Sequence, residues 1–213
     1  MNKGFAVFDM DGTLIDSMRY WKELGREYLA SKGVTRDLTD VLERIKPMTM
    51  TESAALFRQE FGLPGTPREI ADEMNRMIED HYRSDIPLKE GVREYLAALH
   101  RSGVRMCVAS ATDGELMKAC LTRLGAAQYF EFLLSCEEVG AGKNRPDVYF
   151  EAARRLNAAP CEIAVYEDAL YAAQTAKDAG FCVIGVYDDA GAQNWETLTA
   201  LADECIRDWT AAI

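Results

Sequence analysis

The sequence predicts an α/β fold: a doubly wound parallel sheet with helices on both faces. Short apolar segments alternate with helical periodicities through most of the 213 residues, the pattern of parallel strands joined by helices. Several of these apolar segments end in acidic, hydroxyl or basic residues. Because open α/β folds build their sites at the carboxyl ends of their strands, the same pattern predicts a functional site at one edge of the sheet.

The first strand is predicted over residues 4–8 and ends in two carboxylates, Asp9 and Asp11, directly before Gly12. Side chains alternate along a strand, but both acids can converge on one ion or phosphoryl group where the strand turns at the glycine. For an isolated Asp-x-Asp, two acids at the start of a solvated loop is an equal alternative. The later segments favour a functional site over a solvated loop.

A helical insertion follows the first strand. Between residues 15 and about 87 no segment has a strand pattern, and apolar residues recur at helical spacing. They form four groups: Met18, Trp21, Leu24 and Tyr28; Leu38, Val41, Leu42 and Ile45; Ala54, Phe57 and Phe61; and Ile70, Met74, Met77, Ile78 and His81. Pro67 is placed to open the last helix. We therefore predict four inserted helices.

The strand-helix pattern resumes with a helix over residues 92–99 and a strand that ends on Ser110, Ala111 and Thr112. A hydroxyl side chain at a strand end, with free backbone amides behind it, suits a phosphate oxygen. Ser and Thr are equally good helix caps, so this segment alone leaves both interpretations open.

A lysine follows later in the chain. Lys143 comes just before Pro146, which is placed to open a helix over residues 147–156. Lysine is expected where a compact positive charge must offset a carboxylate or a phosphate dianion. A solvated surface lysine is the alternative in an acidic protein.

A second acid pair, Glu167 and Asp168, ends a strand predicted over residues 163–168. Acids that arrive from two strands make a hard oxygen site of the kind that Mg²⁺ takes. A helix follows up to Gly180, and then a last predicted strand over residues 181–187.

Composition limits the partners. The chain has 24 basic and 35 acidic residues, a formal net charge of −11, which disfavours nucleic acid. No apolar stretch approaches a membrane span, and residue 4 already begins a strand rather than a signal peptide.

The six cysteines have no metal-binding spacing, and we expect them to be reduced residues of the core. These features predict a cytoplasmic protein without a membrane partner, and they leave its oligomeric state open, with a monomer plausible. His81 and His100 receive no role.

The ordered set of segments resembles the haloacid dehalogenase superfamily, in the branch that includes phosphoglycolate phosphatases and β-phosphoglucomutases. Asp-Met-Asp-Gly-Thr-Leu at residues 9–14 and Gly-Lys-Asn-Arg-Pro-Asp at residues 142–147 are especially similar to the family pattern. The resemblance implies a Rossmann-like core domain of residues 1–15 and 88–213. It also implies an α-helical cap domain of residues 16–87.

By this resemblance Asp9 is the nucleophile that becomes an aspartyl phosphate, and Asp11 is the general acid and base. Ser110, Ala111 and Lys143 would bind the transferring phosphoryl group. A carboxylate attacks phosphorus only where the charge on the phosphoryl oxygens is offset and the reactants are held in line. The resemblance therefore implies a hydrolase that works through a covalent intermediate.

The implied cofactor is Mg²⁺. Asp9, Asp11 through its backbone carbonyl, and Asp168 would hold the ion. Glu167 would be a further ligand or a close neighbour of the ligands. The small phosphorylated metabolite that the site binds would be its only implied partner.

Substrate identity would depend on the helical insertion, where Tyr20, Trp21 and Met50 are candidates to contact the substrate. Trp21 fits the apolar core of the insertion equally well. β-Phosphoglucomutases carry a histidine about where Trp21 falls, and a glycine-x-x-arginine element that binds the second phosphate. Residues 46–50 lack both the glycine and the arginine, and a bisphosphate would lose its bidentate partner.

We therefore predict a magnesium-dependent phosphatase that hydrolyses a small phosphate monoester, with a phosphosugar mutase as the alternative. Two non-enzymatic alternatives are weaker. A signalling receiver domain is much shorter, lacks a helical insert and takes its phosphate on a later strand. A catalytically inactive binding module does not explain why every catalytic position is filled.

Overall fold

The sheet orders its strands β3-β2-β1-β4-β5-β6, and every neighbouring pair is parallel. The structure is a computed structural model that describes residues 3–212. The strands are β1 Phe5–Phe8, β2 Arg105–Ser110, β3 Leu133–Ser135, β4 Ile163–Glu167, β5 Cys182–Val186 and β6 Glu204–Ile206. The chain runs outward from β1 to β3 and then returns to β4 beside β1. This reversal is the switch point of a doubly wound sheet, and it confirms the predicted fold class.

Both faces of the sheet are buried, as a parallel sheet requires. Ala6 and Phe8 of β1 face one apolar core, and Val7 faces the other. The helices that cover the two faces and form the insertion are α1 Met18–Ser31, α2 Thr39–Ile45, α3 Met50–Phe61, α4 Pro67–Ser84, α5 Val92–Arg101, α6 Gly114–Arg123, α7 Cys136–Val139, α8 Asp147–Leu156, α9 Leu170–Asp178 and α10 Trp195–Leu201.

The helical insertion comprises α1 to α4, which match the four predicted groups. Its last two helices have clear start signals. Thr49 and Glu52 form a capping box at the start of α3, and Thr66 and Glu69 form another at α4, which begins with Pro67. Thr51 lies inside α3, because it is the Thr49 side chain that accepts the free backbone N–H of residue 52.

The insertion packs over the carboxyl edge of the sheet. Arg123 of α6 donates from Nε to the backbone oxygen of Tyr82 at 3.1 Å and from Nη2 to that of Ile86 at 2.5 Å. On the other side, the hydroxyl of Tyr171 donates to the Lys46 carbonyl at 2.8 Å. The strand-helix core therefore holds the insertion at two places, at its C-terminal end and between α2 and α3.

Two short strands were not predicted from the sequence. β3 and β6 have three residues each, too few for a period-two pattern to show.

The cysteine prediction was wrong in part. All six are free thiols, but Cys161 and Cys205 are exposed, because they lie in a short turn and on the edge strand rather than in the core. No helix within residues 3–212 is long and apolar enough to cross a membrane.

Candidate active site

The carboxyl ends of β1, β2 and β4 meet at the switch point. Phe8 pairs with Val108 on one side and with Tyr166 on the other, and the Asp9 amide continues the ladder by donating to Tyr166 at 3.0 Å. This register brings the residues that follow the three strands to the same edge. Asp9, Ser110, Lys143, Glu167 and Asp168 are all buried there.

Lys143 lies between two carboxylates. Its Nζ is 2.5 Å from Asp9 Oδ1 and 2.7 Å from Glu167 Oε1, and the Tyr149 hydroxyl donates to the same Glu167 oxygen at 2.7 Å. Burial alone would lower the pKa of Lys143, but the two carboxylates outweigh burial and raise it well above its usual value. Lys143 is therefore a fixed positive charge beside Asp9.

Three acids form a cluster around a potential metal position. One carboxylate oxygen from each of Asp9, Glu167 and Asp168 lies within 4.8 Å of the others. Burial raises the pKa of Glu167 to about 7 despite the nearby Lys143. Burial, together with the charges of Asp9 and Glu167, raises the pKa of Asp168 well above its usual value. One lysine therefore does not neutralise three buried acids.

The cluster fits a magnesium ion. Glu167 Oε2 is buried and accepts no hydrogen bond from any residue between 3 and 212, so an acceptor is left for a ligand. Asp168 is oriented by a hydrogen bond of 3.0 Å from the Thr13 hydroxyl. Carboxylate oxygens are the donors that Mg²⁺ prefers, and it binds through few of them.

Gly12 allows the turn that follows Asp9 to approach this cluster. Its φ is +85°, a conformation that residues with a Cβ rarely adopt. A Cβ atom at this position would also lie 2.5 Å from Asp168 Oδ2. The glycine of the sequence motif is therefore required both by the turn and by the acid packed against it.

Asp11 occupies a separate position, at the interface between the core and the insertion. Within the described chain its carboxylate receives hydrogen bonds from five side chains. Oδ2 accepts from Thr112 at 2.5 Å and from Ser110 at 3.3 Å, and Oδ1 accepts from Ser17 at 2.7 Å, Trp21 Nε1 at 3.1 Å and the Tyr82 hydroxyl. The side chain of Asp11 is not a member of the acid cluster.

The three residues proposed on the insertion lie in different places. Trp21 reaches the site through Asp11. Tyr20 instead donates its hydroxyl to Asp85 at 3.0 Å and stacks on His81. Met50 is buried in the apolar core that the insertion shares with the sheet. In the strand-helix core, Ala111 directly follows β2 and is partly exposed.

Five polar residues of the site were missed from the sequence. They support the acids by donating hydrogen bonds: Thr13, Ser17, Tyr82, Thr112 and Tyr149. Thr13 and Thr112 lie in the two motifs that already contain Asp9 and Ser110, so their place in the sequence could have identified them as site residues. Tyr82 lies 71 residues after Asp11, and no local pattern connects the two.

The sequence is similar to those of known hydrolases. The family model for haloacid dehalogenase-like hydrolases matches residues 5–180. The chain is 29% identical over 191 residues to mitochondrial (DL)-glycerol-3-phosphatase 1 of Arabidopsis thaliana, with 86% of this chain and 63% of that protein covered. It is 26% identical over 184 residues to a fructose-1-phosphate phosphatase of Escherichia coli, with 84% and 94% covered.

A solved structure extends the comparison to the fold. A β-phosphoglucomutase from Clostridium difficile has a TM-score of 0.79 at 20% identity, with 100% of this chain and 94% of that chain covered. The chain spans less than two thirds of the Arabidopsis protein, but most of the bacterial relatives. Both curated relatives are phosphatases, which supports the prediction of a phosphoric monoester hydrolase. With the family model matched over most of its length, the chain belongs to the haloacid dehalogenase-like hydrolase family.

Proposed function

We propose that the protein is a magnesium-dependent phosphatase that hydrolyses small phosphorylated sugars or similar monoesters through an aspartyl-phosphate intermediate. The observation that carries the proposal is the contact of Asp9 with Lys143, beside a buried acid cluster and apart from a second carboxylate, Asp11. A nucleophile, a charge offset and a separate acid-base group are the parts that this reaction requires.

Asp9 is the nucleophile. Its carboxylate oxygen forms a bond to phosphorus while the bond from phosphorus to the ester oxygen breaks. Lys143 holds the Asp9 carboxylate from one side and offsets charge on the phosphoryl oxygens. Ser110, the last residue of β2, and the backbone at Ala111, which follows it, bind the same phosphoryl group.

Asp9, Glu167 and Asp168, with the backbone carbonyl of Asp11, would hold Mg²⁺. When bound, the ion offsets the negative charge of the phosphoryl oxygens. The protein residues around it keep the ligands oriented. Thr13 fixes Asp168, while Lys143 and Tyr149 fix Glu167 Oε1 and leave its other oxygen available.

Asp11 transfers protons in both steps. It protonates the leaving oxygen when the aspartyl phosphate forms, and it then removes a proton from the water that attacks phosphorus and releases Asp9. Because the two steps are mirror images, one carboxyl group serves both.

The helical insertion acts as the cap domain, residues 16–87, over a core domain of residues 1–15 and 88–213. Closed over the site, it excludes bulk water and contacts the leaving group. The protein would carry out this reaction in the cytoplasm on small phosphorylated metabolites.

The contacts of the insertion favour the phosphatase over the mutase. A mutase needs a second cationic site for a bisphosphate. Lys46 is paired with Glu43 at 2.6 Å, and Arg58 donates to the Gly65 carbonyl at 2.8 Å, both on the exposed side of the insertion. Lys22 is exposed as well. None of these three cations contacts Asp9 or Asp11.

A screen of phosphorylated metabolites with Mg²⁺, read as released inorganic phosphate, tests the proposal. We expect release from sugar or polyol monoesters, and none from Asp9→Asn. Interconversion of β-glucose 1-phosphate and glucose 6-phosphate with little phosphate release would instead establish the mutase. Absence of phosphate release from every monoester, in a folded protein supplied with Mg²⁺, would contradict the proposal.

A further inference from the structure

Tyr82 connects the helical insertion to the acid-base carboxylate. It lies in the last turn of α4, fully buried, and its hydroxyl donates to Asp11 Oδ1. The same hydroxyl accepts a hydrogen bond of 2.8 Å from Trp21 Nε1. Its oxygen also lies 3.3 Å from Thr112 Oγ1, so the phenol has polar partners both in the insertion and at the end of β2.

The backbone of Tyr82 is fixed from the core. Arg123 of α6 donates to the Tyr82 carbonyl at 3.1 Å and also to the Ile86 carbonyl that follows α4. The side chain therefore reaches Asp11 from an insertion helix whose end is held on the core. Displacement of the insertion from α6 would withdraw the hydroxyl from Asp11.

The two oxygens of Asp11 have different partners. The core side chains Ser110 and Thr112 donate to Oδ2, and the Ser110 bond is long, at 3.3 Å. Oδ1 accepts from Ser17, Trp21 and Tyr82, which all lie in or beside the insertion. When Ser110 turns to a phosphoryl oxygen, Oδ2 loses its weakest donor while Oδ1 keeps all of its donors.

We propose that Tyr82 is a positioning residue for Asp11: its hydroxyl, together with Trp21, holds Oδ1 so that Oδ2 exchanges the proton with the leaving oxygen and with water. The inference rests on the proposed function. Donors concentrated on Oδ1 stabilise negative charge there and leave the proton to Oδ2. Oδ2–H protonates the ester oxygen as its bond to phosphorus breaks, and Oδ2 later takes a proton from the attacking water.

This arrangement makes acid catalysis depend on the position of the insertion. The core alone supplies donors to Oδ2 only. Without the insertion Asp11 would lose every donor to Oδ1, and its terminal torsion, which is soft in carboxylates, would be less restricted. The residue that matters for proton transfer therefore belongs to the part of the chain that would also contact the leaving group.

The test compares two esters in single-turnover experiments with the magnesium-loaded full chain. 4-Nitrophenyl phosphate has a leaving group that needs little protonation, whereas glycerol phosphate has an alkoxide that needs a proton. In Tyr82→Phe we expect the glycerol ester to react about 10- to 100-fold more slowly, as for loss of a hydrogen bond to a charged group. The nitrophenyl ester should stay within about threefold in its first step, with substrate affinity nearly unchanged for both.

Tyr28→Phe is the matched control. Tyr28 is a buried tyrosine of the insertion, but its hydroxyl donates to Glu73 at 2.8 Å, away from the site. We expect both esters to react at the wild-type rate in this variant. Trp21→Phe removes the second donor to Oδ1 and should show the same preference between esters, with a smaller loss. If Tyr82→Phe has a much lower melting temperature than the wild type, Trp21→Phe takes its place in the comparison of the two esters.

Equal slowing of both esters in Tyr82→Phe, or no slowing of either, would overturn the inference and leave the proposed function standing. Failure of the folded, magnesium-loaded wild type to release phosphate from these two esters and from every other monoester of the screen would overturn the proposed function and this inference with it.

Discussion

Gly142 lies against the carbonyl oxygen of Pro47, so closely that a Cβ atom at position 142 would be 2.0 Å from that oxygen. Pro47 belongs to the loop between α2 and α3 of the insertion, and Gly142 directly precedes Lys143. The glycine is therefore required by a close approach between two backbones. Lys143 and the insertion therefore meet at this point.

Gly142→Ala should prevent the insertion from packing over Lys143. No real Cβ atom approaches a carbonyl oxygen to 2.0 Å, so the loop must move by more than an ångström. We expect kcat/KM to fall by at least about tenfold, because misplacement of catalytic groups by about 1 Å costs on the order of 100-fold. Phosphate release with a fixed monoester measures the effect.

Gly114→Ala provides the control for Gly142→Ala, because nothing lies within 4 Å of a Cβ atom at position 114. This variant should keep wild-type activity. Wild-type kcat/KM in Gly142→Ala would mean that the contact with Pro47 has no role in catalysis.

Asp9→Asn should abolish turnover while the fold is retained. The amide matches the carboxylate in shape but carries no charge and is a poor nucleophile. The loss should exceed about 1,000-fold, as for other covalent nucleophiles. Phosphate release and a thermal melt measured on one preparation check both parts. Substantial activity in a homogeneous preparation would contradict the aspartyl-phosphate mechanism.

The sequence predicted the parts of the site that lie in short local patterns. Asp9, Ser110 and Glu167 each end an apolar segment, and the parallel sheet brings these ends together without further information. Tyr82 could not be predicted in this way. Its contact with Asp11 depends on how α4 packs on α6, which is a property of the tertiary structure.

In the insertion, too, some features could be predicted from local sequence and others could not. Its four helices follow from apolar spacing, and Pro67 marks the start of α4 as expected. Tyr20 and Trp21 were proposed as substrate residues because they closely follow residues 15–17, where the chain enters the insertion, which is a weaker argument. Neighbouring residues of one helix point about 100° apart, so Trp21 faces Asp11 whereas Tyr20 faces Asp85.

The partly buried Lys89 and the buried Asp188 form an ion pair whose loss should destabilise the protein. Lys89 Nζ is 2.9 Å from Asp188 Oδ2 and also donates to the carbonyls of Gly12 and Tyr187. Lys89→Met leaves Asp188 buried without its cation, which costs about 3–5 kcal/mol for comparable pairs. Chemical denaturation of the metal-free protein measures the loss.

Combining Lys89→Met with Asp188→Asn identifies the source of that loss. If the uncompensated carboxylate is responsible, the double variant should be more stable than Lys89→Met alone. Additive losses from the two substitutions would show instead that Lys89 acts only through the two carbonyls.

Metal binding should offset the loss of stability that the metal-free protein shows as the pH rises through neutrality. In the metal-free protein burial raises the pKa of Glu167 from 4.5 to about 7, and that of Asp168 is raised as well. A carboxyl group with a higher pKa in the folded state binds its proton more tightly when folded. The metal-free protein therefore loses stability as the pH rises from about 4.5 through 7, by roughly 3 kcal/mol from Glu167.

Mg²⁺ binds the deprotonated acids, so its stabilising effect should grow over the same range of pH. We expect the rise in melting temperature from chelator to Mg²⁺ to be clearly larger at pH 7.5 than at pH 5.5. Glu167→Gln, which cannot titrate, should remove much of this difference, because one of the acids that compete for protons is lost. An equal rise at both pH values in the wild type would show that Glu167 and Asp168 do not exchange protons for the metal.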